Sequence, residues 1–155
     1  MSEPSPAEFR SLVEGIFSDI PFVQEIGLKL HDFDLEKQTL SAKFVRKPQL
    51  IGNHFQNILH GGVMATALDT VGGLTAMVAA YDRMGGAIDW DEKIQRLVRL
   101  GTVDMRVDYL KPGRGESFIC HGSVLRVGNK LVVTRMELYN DSDELISTGT
   151  ATFLY

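Results

Sequence analysis

The chain has 155 residues, which allows one compact domain and leaves little room for two. With 44% hydrophobic and 23% charged residues, it can bury its own core without disulfides or a structural metal. Twenty acidic against sixteen basic side chains give a formal net charge of −4, which argues against the electropositive surface that nucleic acids require. Cys120 is the only cysteine, so an intrachain disulfide and any cysteine-built zinc or iron–sulfur site are excluded. His31, His54, His60 and His121 show no local ligand spacing, and neither a metal nor a cofactor is expected. The first residues carry no basic stretch followed by an apolar one, so a cytoplasmic protein is expected.

Residues 6–20 place Phe9, Leu12, Val13, Ile16 and Phe17 three and four apart, after a capping Ser5 and with Pro6 in the first turn. This predicts an amphipathic N-terminal helix, the main feature of residues 1–22. Residues 28–35 and 38–46 alternate partially and predict two short strands. Residues 47–59 are polar and irregular and lead to His60-Gly61-Gly62.

Residues 61–80 are the most apolar stretch, long enough on paper to cross a bilayer. They contain four glycines and a carboxylate, Asp69, so a buried helix from about residue 62 is predicted and stable membrane insertion is not. Residues 81–100 predict a loop and a short helix, a helical insertion. From Thr102 to Tyr109 polar and apolar residues alternate cleanly, which predicts a half-buried strand. Residues 116–127, 130–139 and 144–155 predict three more strands joined by turns. The fold class is therefore α+β, with a curved antiparallel sheet wrapped around the central helix.

No nucleophile elbow, P-loop, dinucleotide fingerprint or zinc-protease motif is present,. Cys120 and His121 are adjacent, but successive strand residues point to opposite faces and cannot form a thiol–imidazole pair. Asp69 is the unusual group, because a carboxylate inside an apolar helix needs a partner or a purpose. A salt bridge to a distant arginine is one account and catalysis is the other. Gly61 and Gly62 favour catalysis, since a helix start without side chains offers backbone N–H donors and a partial positive charge. Gly61 and Asp69 are eight residues apart, about 12 Å along a helix and some 80° around it. One chain cannot aim both at one carbonyl. Two central helices antiparallel about a two-fold axis would bring the Gly61 end of one to Asp69 of the other, giving two shared sites.

The run from Asn53 to Gly73, with His60-Gly61-Gly62 nine residues before the acid, resembles the PaaI-like acyl-CoA thioesterases of the hotdog fold. The likeness continues in residues 101–116 and in Arg126-Val127-Gly128-Asn129-Lys130. It is strongest to the YigI-type medium- and long-chain enzymes and covers nearly the whole chain. The resemblance implies a single hotdog domain over residues 1–155, assembled as homodimers and often tetramers, that hydrolyses an acyl-CoA to free acid and CoA. It implies Asp69 as general base or nucleophile and Gly61 as the oxyanion donor, with His60 and Gly62 beside it.

Relatives carry an Asn or Gln six residues before the His. That position here is His54, flanked by Asn53, which we take for the role, and followed by Gln56. The turn residues Lys111, Arg114, Gly128, Asn129 and Lys130 are expected, with Gln56, to hold the CoA end of the substrate. Residues 81–100 are expected to cap the acyl tunnel and to select chain length. Two other readings stay open, a hotdog that binds acyl-CoA without hydrolysing it and a 3-hydroxyacyl thioester dehydratase using His54.

Overall fold

The computed structural model describes residues 4–155. Helix α1 (Pro6–Asp19) begins as the sequence predicts, with Ser5 and Glu8 capping each other's backbone N–H groups reciprocally,. A second short helix not expected from the sequence, α2 (Pro21–Ile26), follows at once; Pro21 starts it and Gly27, at φ 78°, ends it,. Strands β1 (Lys29–Asp34) and β2 (Thr39–Val45) form a hairpin. The irregular segment holds a small hairpin of β3 (Ile51–Asn53) and β4 (Ile58–Leu59).

The central helix α3 runs from Gly61 to Met84, one turn beyond its predicted end. Residues 81–84 therefore belong to it, and the insertion is reduced to residues 85–100, which carry α4 (Trp90–Leu97). Four strands complete the chain: β5 (Gly101–Tyr109), β6 (Ser117–Val127), β7 (Leu131–Asn140) and β8 (Leu145–Leu154). They join the first hairpin in one antiparallel sheet of order β1-β2-β6-β7-β8-β5. The α+β arrangement expected from the sequence, a sheet around a long helix, is the one observed.

By length and composition α3 could cross a bilayer, but the sheet encloses most of it. Leu68, Val71, Ala76 and Val78 of the helix and Phe118, Met136, Leu138 and Ile146 of the sheet are all essentially buried. Small residues let the two layers approach. A Cβ on Gly122 of β6 would strike Thr75 Oγ1 and come within 2.9 Å of Val71 Cγ1. Thr75 cannot easily swing away, because its hydroxyl donates to the Val71 carbonyl at 2.7 Å.

Strand β5 departs from expectation. Its alternation holds, but it is one of the two edge strands of the sheet, and Val103 and Tyr109 are 60% and 53% exposed. Only Met105 and Val107 pack partly onto the core. The sequence shows which side chains share a face and not whether another strand covers them.

Replacing Gly122 with Ala is expected to destabilise the fold by about 1–3 kcal/mol through overpacking. Thermal unfolding should show this as a Tm several degrees lower.

Candidate active site

The start of α3 is organised by His60. Its imidazole Nδ1 accepts the Gly62 N–H at 2.8 Å, and its carbonyl accepts the N–H groups of Val63 and Met64 at 3.0 and 3.4 Å. In this first turn only the Gly61 N–H has no acceptor among the described residues. The two glycines are therefore unequal: Gly62 has its donor occupied and Gly61 has its donor available at the positive end of a helix about 36 Å long. The Tyr109 hydroxyl donates to the Gly61 carbonyl at 3.1 Å. The Tyr109 ring also lies so close that a Cβ on Gly61 would sit 3.3 Å from it.

Asp69 is two turns further along α3 and half-buried. The sequence suggested full enclosure or an arginine partner, and the chain provides neither among the described residues. Asp69 Oδ1 instead accepts a hydrogen bond from the Thr102 hydroxyl at 2.8 Å. Thr102 is the residue that sequence reasoning missed. Strict alternation puts Thr102 on the opposite face from Met105 and Tyr109, but the register shifts by one between Thr102 and Asp104. This bulge turns Thr102 toward the helix that Tyr109 also touches.

Beside Asp69 opens a largely apolar cavity of about 430 Å³, within the range of small-molecule sites. Its walls are Phe9, Leu12, Val13 and Ile16 of α1, Gly73, Leu74 and Met77 of α3, Ile94 and Leu97 of α4, and Phe153 of β8. Asp69 and Thr102 are the polar groups at its edge, with Thr70 beside them. Ile94, Leu97, Val98 and Leu100 of the insertion line this cavity. The N-terminal helix, to which the sequence assigned no role, forms the facing wall.

The other predicted residues fall into two groups. In the first, the Asn53 side chain accepts the Gln56 N–H at 3.2 Å, which shapes the turn between β3 and β4. Arg114 donates to the Gln56 carbonyl and side-chain oxygens at 3.0 and 3.2 Å. Lys111 pairs with Glu144 at 2.8 Å; this contact and the amide of Asn140 hold the Glu144 carboxyl below its usual range. His54 is exposed, its ring against Phe55. The second group is the β6–β7 turn, where the Asn129 side chain accepts from Arg83 at 3.0 Å and Lys130 is exposed. Gly128 was expected to help hold the CoA end of the substrate. Its N–H is taken by the Leu131 carbonyl, and its own carbonyl accepts the Tyr155 hydroxyl.

These groups do not meet within one chain. The turn of residues 111–115 follows Tyr109, whereas Leu131 pairs with Leu154 and Leu154 with Gly101, at the other end of β5. The strand separates those ends by about 27 Å. Cys120 is buried, which pushes its thiol far above the ordinary range, and His121 lies on the exposed face, as predicted.

A family model described as the thioesterase superfamily matches residues 56–147. The chain belongs to the thioesterase superfamily. As a member of that family it is a thioester hydrolase, as expected. Over 135 residues it is 44% identical to the medium/long-chain acyl-CoA thioesterase YigI of Escherichia coli K12, covering 87% of this chain and 85% of the relative. A crystal structure of a thioesterase-superfamily-related protein from Shewanella oneidensis superposes with a TM-score of 0.90 at 45% identity, covering 99% of both chains. The PaaI protein of the E. coli phenylacetic acid degradation operon shares the fold, with a TM-score of 0.73 at 12% identity over 96% of this chain and 93% of that one.

Gly52 of β3 supports the site from behind. A Cβ there would lie 2.6 Å from His60 Cα, a backbone atom that cannot yield without moving the helix start. Gly52→Ala is therefore expected to lower thioester hydrolysis about tenfold or more by displacing the Gly61 donor. The check is kcat against a thioester substrate, with circular dichroism to establish that α3 persists.

Proposed function

We propose that the protein hydrolyses medium- to long-chain acyl-CoA thioesters in the cytoplasm, using Asp69 of one subunit and the Gly61 N–H of another in a homodimer. The observation that carries the reading is Asp69 at the edge of an apolar cavity, with one carboxylate oxygen held by Thr102. A cavity of this kind suits an acyl chain whose carbonyl carbon stops at the carboxylate. The curated relative's name, a medium/long-chain acyl-CoA thioesterase, supports the same substrate class. A binding module would have no need for a carboxylate at the edge of that cavity. A dehydratase would need a basic histidine facing the acid; this chain's cavity wall has none, and His60, next to Gly61, has its Nδ1 lone pair taken by the Gly62 N–H.

In the proposed reaction Asp69 acts as general base. Its second oxygen takes a proton from water as the water oxygen attacks the thioester carbonyl. The Gly61 N–H of the partner stabilises the resulting oxyanion. The carbon–sulfur bond then breaks, and the CoA thiolate leaves with the proton held by Asp69. Thr102 is a positioning residue that fixes the carboxylate rotamer.

The dimer is supported by the uncovered β5 edge, whose exposed Val103 and Tyr109 suit an antiparallel copy of the same strand,. Such a pairing carries one chain's Gly61 and Tyr109 toward the other's Asp69 and Thr102. It also carries Lys111 and Arg114 of one subunit toward residues 128–130 of the other. The separation of the two polar groups is then explained, and one CoA can be held by both chains. Pairing of two such dimers into a tetramer is consistent with the same reading.

Asp69→Asn is expected to reduce kcat for acyl-CoA hydrolysis by about 10²–10⁴-fold. Thr102→Val should cost about tenfold to a hundredfold, and Thr102→Ser should restore most of it. Mixing Asp69→Asn with Gly52→Ala subunits should regain about a quarter of parental activity, because half of the random dimers contain one intact site of two. CoA release by free-thiol assay measures each outcome. Full activity in Asp69→Asn, or no recovery on subunit exchange, contradicts the catalytic or the shared-site part respectively.

A further inference from the structure

Phe9, which lines the cavity beside Asp69, stacks on Tyr81, and we infer that this stack is the stop of a ruler that limits acyl-chain length. The inference rests on the thioesterase reading and adds to it the residues that measure the substrate. Asp69, Gly73 and Met77 line the cavity from one face of α3, at successive steps of four residues,. They form a floor about 12 Å long. The next position on that face is Tyr81. Its ring stacks on Phe9 with centroids 3.8 Å apart and planes 15° from parallel. Trp90 meets the same ring edge-on at 6.1 Å, and the Lys93 ammonium lies 5.0 Å from its centroid.

Phe9 and Lys93 are almost completely buried, so the stack is backed by packed protein. Phe9, near the start of α1, meets the last part of α3, while Phe22, just beyond α1, lies by the start of α3. The two helices therefore run in opposite senses, and the α1 wall follows the floor from mouth to stop. A staggered hydrocarbon chain built from bonds of about 1.5 Å advances about 1.25 Å per carbon. A floor of about 12 Å then holds about ten carbons between a carbonyl at Asp69 and a methyl against the stack. A longer chain must break the stack, and it would meet a buried ammonium beyond it.

The test is the initial rate of CoA release from saturated acyl-CoAs of four to eighteen carbons, for the full-length protein, Phe9→Leu and Met77→Trp. The parent is expected to peak at about ten carbons and to keep a lower rate on longer chains, about tenfold down by sixteen, as the stack yields to them. Phe9→Leu should move the optimum at least two carbons longer, and Met77→Trp at least two carbons shorter. Opposite shifts are not produced by a general loosening of the fold. An optimum that stays fixed in both variants, or moves the same way in both, overturns the ruler. A parent that releases no CoA at any length instead overturns the thioesterase reading. If thermal unfolding shows that either core variant fails to fold, Leu12→Phe on the same wall decides the question by the same criterion, a shorter optimum.

Discussion

The burial of α3 is the constraint on which the rest of the molecule is built. Twenty-four residues of largely apolar helix cannot remain in water, and one sheet cannot cover a cylinder on every side. The sheet takes the face that carries Leu68, Val71, Gly72, Thr75 and Ala79, where Gly122 and Gly149 allow close approach. The face that carries Asp69, Gly73 and Met77 meets α1 and α4 across a gap, closed on the sheet side by Phe153 of β8 and Thr102 of β5. The apolar cavity is thus a consequence of covering one helix with two kinds of element. A carboxylate at the edge of such a gap is tolerable, because one side remains open to solvent and the other receives the Thr102 hydroxyl,.

The same geometry accounts for the incompleteness of a single chain. A helix presents its free N–H groups only at its start, and a side chain two turns later is displaced both along the axis and around it. His60 sharpens this by occupying the Gly62 donor, so that one N–H, that of Gly61, remains. A bare sheet edge at β5, with its bulge next to Thr102, adds a second unsatisfied feature on the same side of the molecule. In the proposed dimer one two-fold operation would satisfy both.

Much of this was legible in the sequence. The helical spacing of Phe9, Val13 and Phe17, the cap at Ser5, the apolar run after His60 and the turns at residues 111–115 and 128–129 all correspond to observed elements, because each rests on local rules. What was not legible depends on long-range pairing. The bulge that brings Thr102 to Asp69 changes the parity of β5 without changing its composition. The exposure of Val103 follows from a missing neighbour and not from any residue in the strand. Helix α2 was missed because six residues give too little periodicity to read. The inequality of Gly61 and Gly62 turns on the rotamer of His60. The role of α1 as a cavity wall required knowing that it returns antiparallel to α3.

That last point separates the part of the structure that makes the fold from the part that selects the substrate. Substitutions on the sheet face of α3 act on close contacts such as Val71 and Thr75 against Gly122, where nearly any added volume is resisted. Phe9, Leu12, Val13 and Ile16 of α1 line the cavity over α3, and Phe9 is stacked on Tyr81. Side chains there can change size by occupying or vacating the gap, with the sheet and the Asp69–Thr102 pair left in place. In the proposed ruler chain-length preference varies at Phe9, Leu12 and Met77 while Asp69 and Thr102 stay where they are, because those three side chains line the gap and the close contacts of α3 with Gly122 lie elsewhere on the helix.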